Sequence, residues 1–323
     1  MTKTMMTAVA IAGLTMCAGA HAQNEGMVPT QALVTVEAKS QPPASAANLT
    51  IQLDGKKMPL SSWTPVAPGQ VQVALLIDDG LRESVGRNLS TLKEFVNAMP
   101  AGVEVLVGYM ENGRVLASQG FTTNHAAAAA ALRLPEGMPG QSASPYFCLS
   151  DFVKHWPGAG GGTSTSDPAG GTIMRGDANG SAKARFVLMI TNGVDPYNGS
   201  TSLANQDSPY VKTAITDAQR AGVPVYSIYF TDAGIRGQSA AFSGQSYLQQ
   251  VADATGGRNY YEGMGNPVDM TPFLKEFTAS IGRTFIAGFE APAKGRDLVR
   301  LKVTSAPKAK LRSPEAVQPG NME

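Results

Sequence analysis

The sequence predicts an α/β fold. It is a doubly wound, mostly parallel sheet with one antiparallel edge strand and helices on both faces, plus a small β unit from the N- and C-terminal segments. Three observations predict it. Between about residues 70 and 283, short apolar runs alternate with helical periodicities, as strands buried under helices on both faces require. One connection in that stretch, Glu111-Asn112-Gly113, is too short for a crossover, so the strands it joins run antiparallel. At both ends of the chain apolar and polar residues alternate singly, which asks for sheets with one wet face.

The elements follow in order. Leu33 to Ala38 alternates Val34, Val36 and Ala38 against Thr35 and Glu37. Leu49, Ile51 and Leu53 alternate with Thr50 and Gln52, and Asp54-Gly55 marks a hairpin turn toward Met58 and Leu60. Val71 to Ile77 is almost continuously apolar. An amphipathic helix follows, with Val85, Leu89, Leu92, Val96 and Met99 at helical spacing until Pro100 and Gly102 stop it. Val103 to Tyr109 is a second strand and Val115 to Ala117 the antiparallel one. Asn124 and alanines 126–131 make a helix, and another spans about Phe147 to Trp156. Residues 157–181 form a flexible Gly/Ser-rich loop. Phe186 to Ile190 is a buried strand, Pro209 to Ala221 a helix stopped by Gly222, and Val223 to Phe230 a strand. Tyr247, Leu248, Val251 and Ala252 lie on a helix ended by Gly256-Gly257, and Arg258 to Tyr261 is a short strand. Pro272 opens the last helix, which buries Phe273, Phe277 and Ile281. Val299, Leu301 and Val303 then alternate with Arg300 and Lys302. The expected organisation is a leader at 1–22, an N-terminal β segment at 23–69, an α/β domain at 70–283, and a C-terminal β segment and tail at 284–323. The two β segments are expected to pair into one small sheet.

The leader is a secretory signal peptide by its pattern: basic Lys3, an apolar run from Met5 to Ala20, and Ala20-His21-Ala22 as the small-x-small cleavage site. The expected location is secreted or periplasmic. Leu14-Thr15-Met16-Cys17 spells the rival lipid-attachment box, with Met16 too large for the position before the cysteine. No later run is long and apolar enough to form a transmembrane segment. After cleavage 25 basic residues face 25 acidic ones, so no basic field exists for nucleic acid or anionic lipid. A composition of 43% hydrophobic and 16% charged residues is that of a chain with a real core. Cys148 remains without a disulfide partner and reads as a buried thiol, since His125 and His155 sit in no motif that would make it a nucleophile.

In a doubly wound sheet, ligands bind where the carboxyl ends of the strands meet the loops. Three segments are expected there: Ile77-Asp78-Asp79-Gly80-Leu81-Arg82, Ser142-Ala143-Ser144-Pro145-Tyr146 and Ile190-Thr191-Asn192-Gly193-Val194-Asp195. The apolar strand ending in Asp78, Phe-Val-Leu-Met-Ile-Thr-Asn-Gly at 186–193, Ala-Gly-Val-Pro-Val-Tyr-Ser-Ile at 221–228 and the run Leu248 to Gly257 carry a resemblance over about 70–283. Together they resemble the von Willebrand factor type A family, in the style of its secreted bacterial members.

That resemblance implies a surface holding Mg²⁺ through Asp-x-Ser-x-Ser, a later Thr and a later Asp, with one position open to an acidic group of a partner. Asp78 matches the first carboxylate. Gly80 and Arg82 stand at the two serine positions, Ser144 at the threonine, and Asn192 at the second aspartate. The site is thus degenerate, and Arg82 is expected to ion-pair with Asp78 in place of a metal. Asp79 and Asp195 are either solvated turn residues or oxygens for a weak, atypical cation site. No cofactor is expected, Mg²⁺ on Asp78 and Ser144 being the exception to watch for.

Other motifs weigh little. Arg175-Gly176-Asp177 lies in a loop on the face opposite this site and is read as coincidence. Loops 195–208 and 231–245 rise over the site, with Tyr197, Asn198, Arg236 and Phe242 as candidate partner contacts. No dinucleotide-binding glycine pattern follows the first buried strand, and no nucleophile elbow is present. The expected function is non-enzymatic binding of an unidentified protein or cell-surface partner. The alternatives are a structural part of a cell-envelope assembly and a hydrolase-like enzyme using Asp78 and Asp79.

Overall fold

A computed structural model describes residues 26–37, 45–81, 83–137, 144–157, 183–195, 208–231, 237–263, 265–295, 297–306 and 309–320, without the side chains at 83–84 and 237–241. The leader, the loop at 158–182 with Arg175-Gly176-Asp177, and Arg82, Tyr197, Asn198 and Arg236 lie outside the described residues.

The strands are β1 (Met27–Val36), β2 (Leu49–Leu53), β3 (Lys56–Met58), β4 (Leu60–Pro65), β5 (Val71–Asp78), β6 (Glu104–Glu111), β7 (Arg114–Ala117), β8 (Ala184–Thr191), β9 (Val225–Tyr229), β10 (Asn259–Tyr260), β11 (Thr284–Pro292), β12 (Val299–Ser305), β13 (Leu311–Arg312) and β14 (Ala316–Val317). The helices are α1 (Glu83–Gly86), α2 (Leu89–Asn97), α3 (His125–Ala130), α4 (Pro145–Lys154), α5 (Pro209–Arg220), α6 (Gly237–Thr255) and α7 (Thr271–Gly282).

Every residue of β5 is buried, as its unbroken apolar run demands. It pairs in parallel with β6 on one side and β8 on the other. The central sheet has the order β10-β9-β8-β5-β6-β7, and β7 is its antiparallel edge. Alternate residues of β5 feed two cores. Val73, Leu75 and Ile77 pack with Leu92, Phe95, Leu274 and Phe277 of α2 and α7. Ala74 and Leu76 pack with Leu149, Val211, Leu248 and Val251 of α4, α5 and α6. This is the expected doubly wound sheet with helices on both faces.

One expected helix is broken. The periodicity from Val85 to Met99 splits into α1 and α2 at Arg87-Asn88. Asn88 precedes α2 but does not cap it, because its side-chain oxygen accepts the Met270 N–H at 3.2 Å instead. Gly86 sits so close to Leu134 that a Cβ there would lie 2.9 Å from its Cδ2.

The terminal segments do pair with each other, but into two sheets where one was expected. The sheets are β13-β1-β11-β4 and β14-β12-β2-β3. The hairpin between β2 and β3 turns at Asp54-Gly55, both at positive φ (47° and 81°), as a tight primed turn requires. Val34, Ala287 and Phe289 of one sheet meet Ile51, Val299 and Leu301 of the other in a third core. The terminal strands are too numerous and too apolar on one face for a single sheet, and packing two face to face hides both apolar faces.

The β1–β11 ribbon has two buried sides. Leu33 and Ile286 face the α/β core, while Val34 and Ala287 face the sandwich. Further contacts fix the joint. The Thr35 hydroxyl lies 2.8 Å from that of Thr284 and 3.5 Å from that of Tyr226. Arg312 donates to the Gly257 carbonyl and to Glu37, each at 2.9 Å. The Glu315 N–H donates to the Ala254 carbonyl at 2.9 Å. Arg312→Ala is expected to lower the unfolding free energy by about 2 kcal/mol, as loss of charge-assisted hydrogen bonds does. Urea denaturation of the two proteins side by side measures it.

Candidate functional site

In this strand order β5 and β8 flank the point where the chain reverses its direction of winding. Their carboxyl ends carry Asp78 and Thr191. The Thr191 hydroxyl donates to Asp78 Oδ2 at 2.7 Å and accepts the Gly193 N–H at 3.1 Å. Asp78 Oδ1 accepts the Gly80 N–H at 2.9 Å. Thr191 was not among the expected site residues, although it lies in the quoted Ile-Thr-Asn-Gly run. A polar β-branched residue ending an apolar strand was the available signal.

Asp79 and Asp195 are not solvated turn residues; they are 3% and 5% exposed. Asp79 Oδ1 accepts Arg133 Nη1 at 2.7 Å and the Glu136 N–H at 3.1 Å, and its carbonyl accepts the Gly137 N–H at 2.9 Å. Arg133 lies over the Tyr109 ring at 3.9 Å, and the Tyr109 hydroxyl donates to the Arg133 carbonyl at 2.7 Å. Among the described residues, an arginine does lie on a crevice carboxylate: Arg133, on Asp79. It comes from the segment after α3, and no local pattern in the sequence brings that segment to this edge.

Asp195 accepts the Ser208 hydroxyl at 2.6 Å, and Ser208 caps α5 by accepting the Tyr210 N–H at 3.2 Å. Asn192 is buried, and its Oδ1 accepts the Val194 N–H at 2.9 Å. Tyr146 donates to the Gly193 carbonyl at 2.7 Å. Burial first, then the charge of Asp195, pushes the Tyr146 phenol well up, so it stays a neutral donor. Ser144 precedes α4 without capping it, and its buried hydroxyl finds no partner among the described residues. The loop after β8 packs tightly on α6. A Cβ on Gly193 (φ +66°) would strike the Gly244 carbonyl oxygen, and one on Gly244 would strike that of Asn192.

These residues do not fit a resident divalent cation. Such an ion wants several oxygens converging on one point. Gly80 offers no side chain, Asn192 is turned onto Val194, and Asp79 and Asp195 are held by Arg133 and Ser208. Among the described residues no group of three or more His, Cys, Asp and Glu side chains could hold a metal ion.

The same edge carries exposed apolar residues. Arg133 and Glu136 bring Leu134, 48% exposed, to the Asp79 side. Phe242 lies two residues before Gly244 on α6, Tyr261 follows β10, and Val268 precedes the Met270 N–H held by Asn88. All three are exposed, Val268 by 87%.

No protein-family model and no curated protein matches the sequence. Among solved structures, the ArnB paralog VWA2 from Sulfolobus acidocaldarius has a TM-score of 0.40 at 8% identity, covering 90% of this chain and 76% of its own. The von Willebrand factor type A protein from Catenulispora acidiphila has a TM-score of 0.37 at 12% identity, covering 92% and 75%. Three N-terminal domains of the type V pili tip protein Mfa5 from Porphyromonas gingivalis reach 0.26 at 13% identity, covering 52% and 27%. The chain's own strand order makes it a type A-like, Rossmannoid α/β fold.

Two outcomes follow from the buried polar contacts. Thr191→Val removes the hydroxyl from a buried carboxylate and is expected to cost about 2 kcal/mol, with Thr191→Ser recovering most of it in equilibrium unfolding. Cys148 is fully buried, and burial, with the charge of Asp78 adding to it, pushes its thiol up to about 12. Native Cys148 is expected to react with a soluble disulfide reagent at mildly alkaline pH on the order of a thousandfold more slowly than a free thiol, and at the free rate once unfolded.

Proposed function

We propose that this chain is an exported, non-enzymatic interaction module that contacts a partner protein through the carboxyl edge of its central sheet, without a bridging metal. One observation carries the proposal: Leu134, Phe242, Tyr261 and Val268, large apolar and exposed, all border that edge. Exposed apolar side chains scattered singly are ordinary, but several along one polar-lined edge are the composition of an interface. The crevice supports contact without metal, because its carboxylates are already held by Arg133, Ser208 and Thr191. The same pairing leaves Asp78 and Asp79 poorly suited to act as hydrolytic carboxylates. The leader-like start supports a secreted or periplasmic location.

Photocrosslinking from a probe at position 261 or 268, with position 57 on β3 as the control, tests this in the source cell. The expected outcome is one protein adduct from 261 and 268, absent from 57 and unchanged by chelator. Adducts only from 57, or an adduct that chelator abolishes, would refute it.

A further inference from the structure

β7 is the outer strand of the central sheet, joined to β6 through Asn112-Gly113 with Glu111 opposite Arg114. In a hairpin with a two-residue turn, the flanking pair exchanges both of its hydrogen bonds, and bonded pairs then alternate with unbonded ones. Arg114 and Leu116 therefore bond inward to β6, while Val115 and Ala117 turn their N–H and C=O groups outward. Among the described residues those outward groups meet no backbone partner. Open edge strands are guarded by charge, proline, short length or a bulge, and β7 is only four residues long with Arg114 at its start. Beyond Arg114, Val115-Leu116-Ala117 carries no charge and no proline, and Leu116 is 51% exposed.

The edge also opens into a cavity. The ladder passes from Gly108 opposite Ala117 to Val105 opposite Thr122, so Leu106 and Val107 face the longer run Ser118 to Phe121. Beside this bulge lies a cavity of about 420 Å³, lined by Leu106, Val115, Leu116, Gln119 and Phe152 among others. Arg133, Asp151 and His155 put charged and polar groups at other parts of its wall, and Gln119 is the polar side chain there with unmade bonds. Both its amide nitrogen and its amide oxygen are buried, and neither finds a partner among the described residues. A buried donor and acceptor left unmade carry the full cost of losing water. A peptide group carries the acceptor and the donor that this amide lacks.

We propose that β7 is a docking strand for an extended segment of a partner protein. The segment pairs with the outward groups of Val115 and Ala117 and seats one apolar side chain in the cavity. Gln119 turns its amide onto a peptide group of the segment. This is strand addition, in which backbone bonds supply affinity and the pocket supplies selection. The cavity reaches Tyr109 and Arg133 beside the carboxyl edge, but the backbone pairing on β7 does not depend on the carboxyl-edge reading.

Linear peptides selected from a displayed random library on the full mature chain are the probe. The selected peptides are expected to carry alternating apolar residues and to protect the Val115 and Ala117 amides from hydrogen exchange. Ala117→Pro, which removes an outward donor and spares the ladder, is expected to weaken them about tenfold, the loss of one hydrogen bond. Ala117→Val and Val268→Asp are expected to bind as the parent does. N-methylation of alternate peptide residues tests the same bonds without altering the protein, and one of its two registers is expected to abolish binding. The proposal is overturned if no peptide is selected, if neither Ala117→Pro nor either methylated register weakens binding, or if protection maps to the carboxyl edge. It is also overturned if the parent sediments as a dimer that Ala117→Pro dissociates, since the occupant is then a second copy.

Discussion

The burial of β5 on both faces constrains everything around it. From Val73 to Ile77 the strand has no wet side and carries no polar residue, so its carboxylates, Asp78 and Asp79, come together where the chain leaves the sheet. β8 is likewise apolar from Phe186 to Ile190 and ends in Thr191, with Asn192 next along the chain. Two strands with apolar middles thus bring the polar residues at their carboxyl ends to one crevice. The bond between Asp78 and Thr191 follows from the parallel register that sets Ile77 beside Ile190.

That crevice is closed by the protein's own groups. In a site built around a metal, carboxylates are kept together by the ion's charge. Here each carboxylate has been given a separate anchor: a hydroxyl and a backbone N–H for Asp78, a guanidinium for Asp79, a helix-capping serine for Asp195. The anchors come from β8, from the segment after α3 and from the start of α5. The crevice therefore ties together elements on both faces of the sheet, as a shared ion would, with no ion required.

The fold was legible in the sequence because its strands are distinguished by continuous apolar runs and its helices by periodicity, both of which survive without long-range information. The positions of Asp78, Asn192 and Asp195 at strand ends were legible for the same reason. Arg133 was not, because it reaches Asp79 through the path of the chain after α3, and no local pattern encodes that path. The division of the terminal strands into two sheets was hidden as well. Alternation tells which side of a strand is apolar, but Leu33 and Val34 are both covered, by different cores. A residue pair of that kind looks like ordinary alternation with one conservative exception.

The β1–β11 ribbon has a temporal consequence. Thr35 meets Thr284 across 249 positions of sequence. Contacts of that span form late, since the chain must first close the intervening loop. Until the segment after α7 arrives, the first strand has no neighbour and the apolar surface beneath Leu33 and Ile286 stays open. The polypeptide is thus built to remain incomplete until almost its whole length is available. A partly made chain therefore keeps that surface exposed, and β1 is held in place only once β11 has formed beside it.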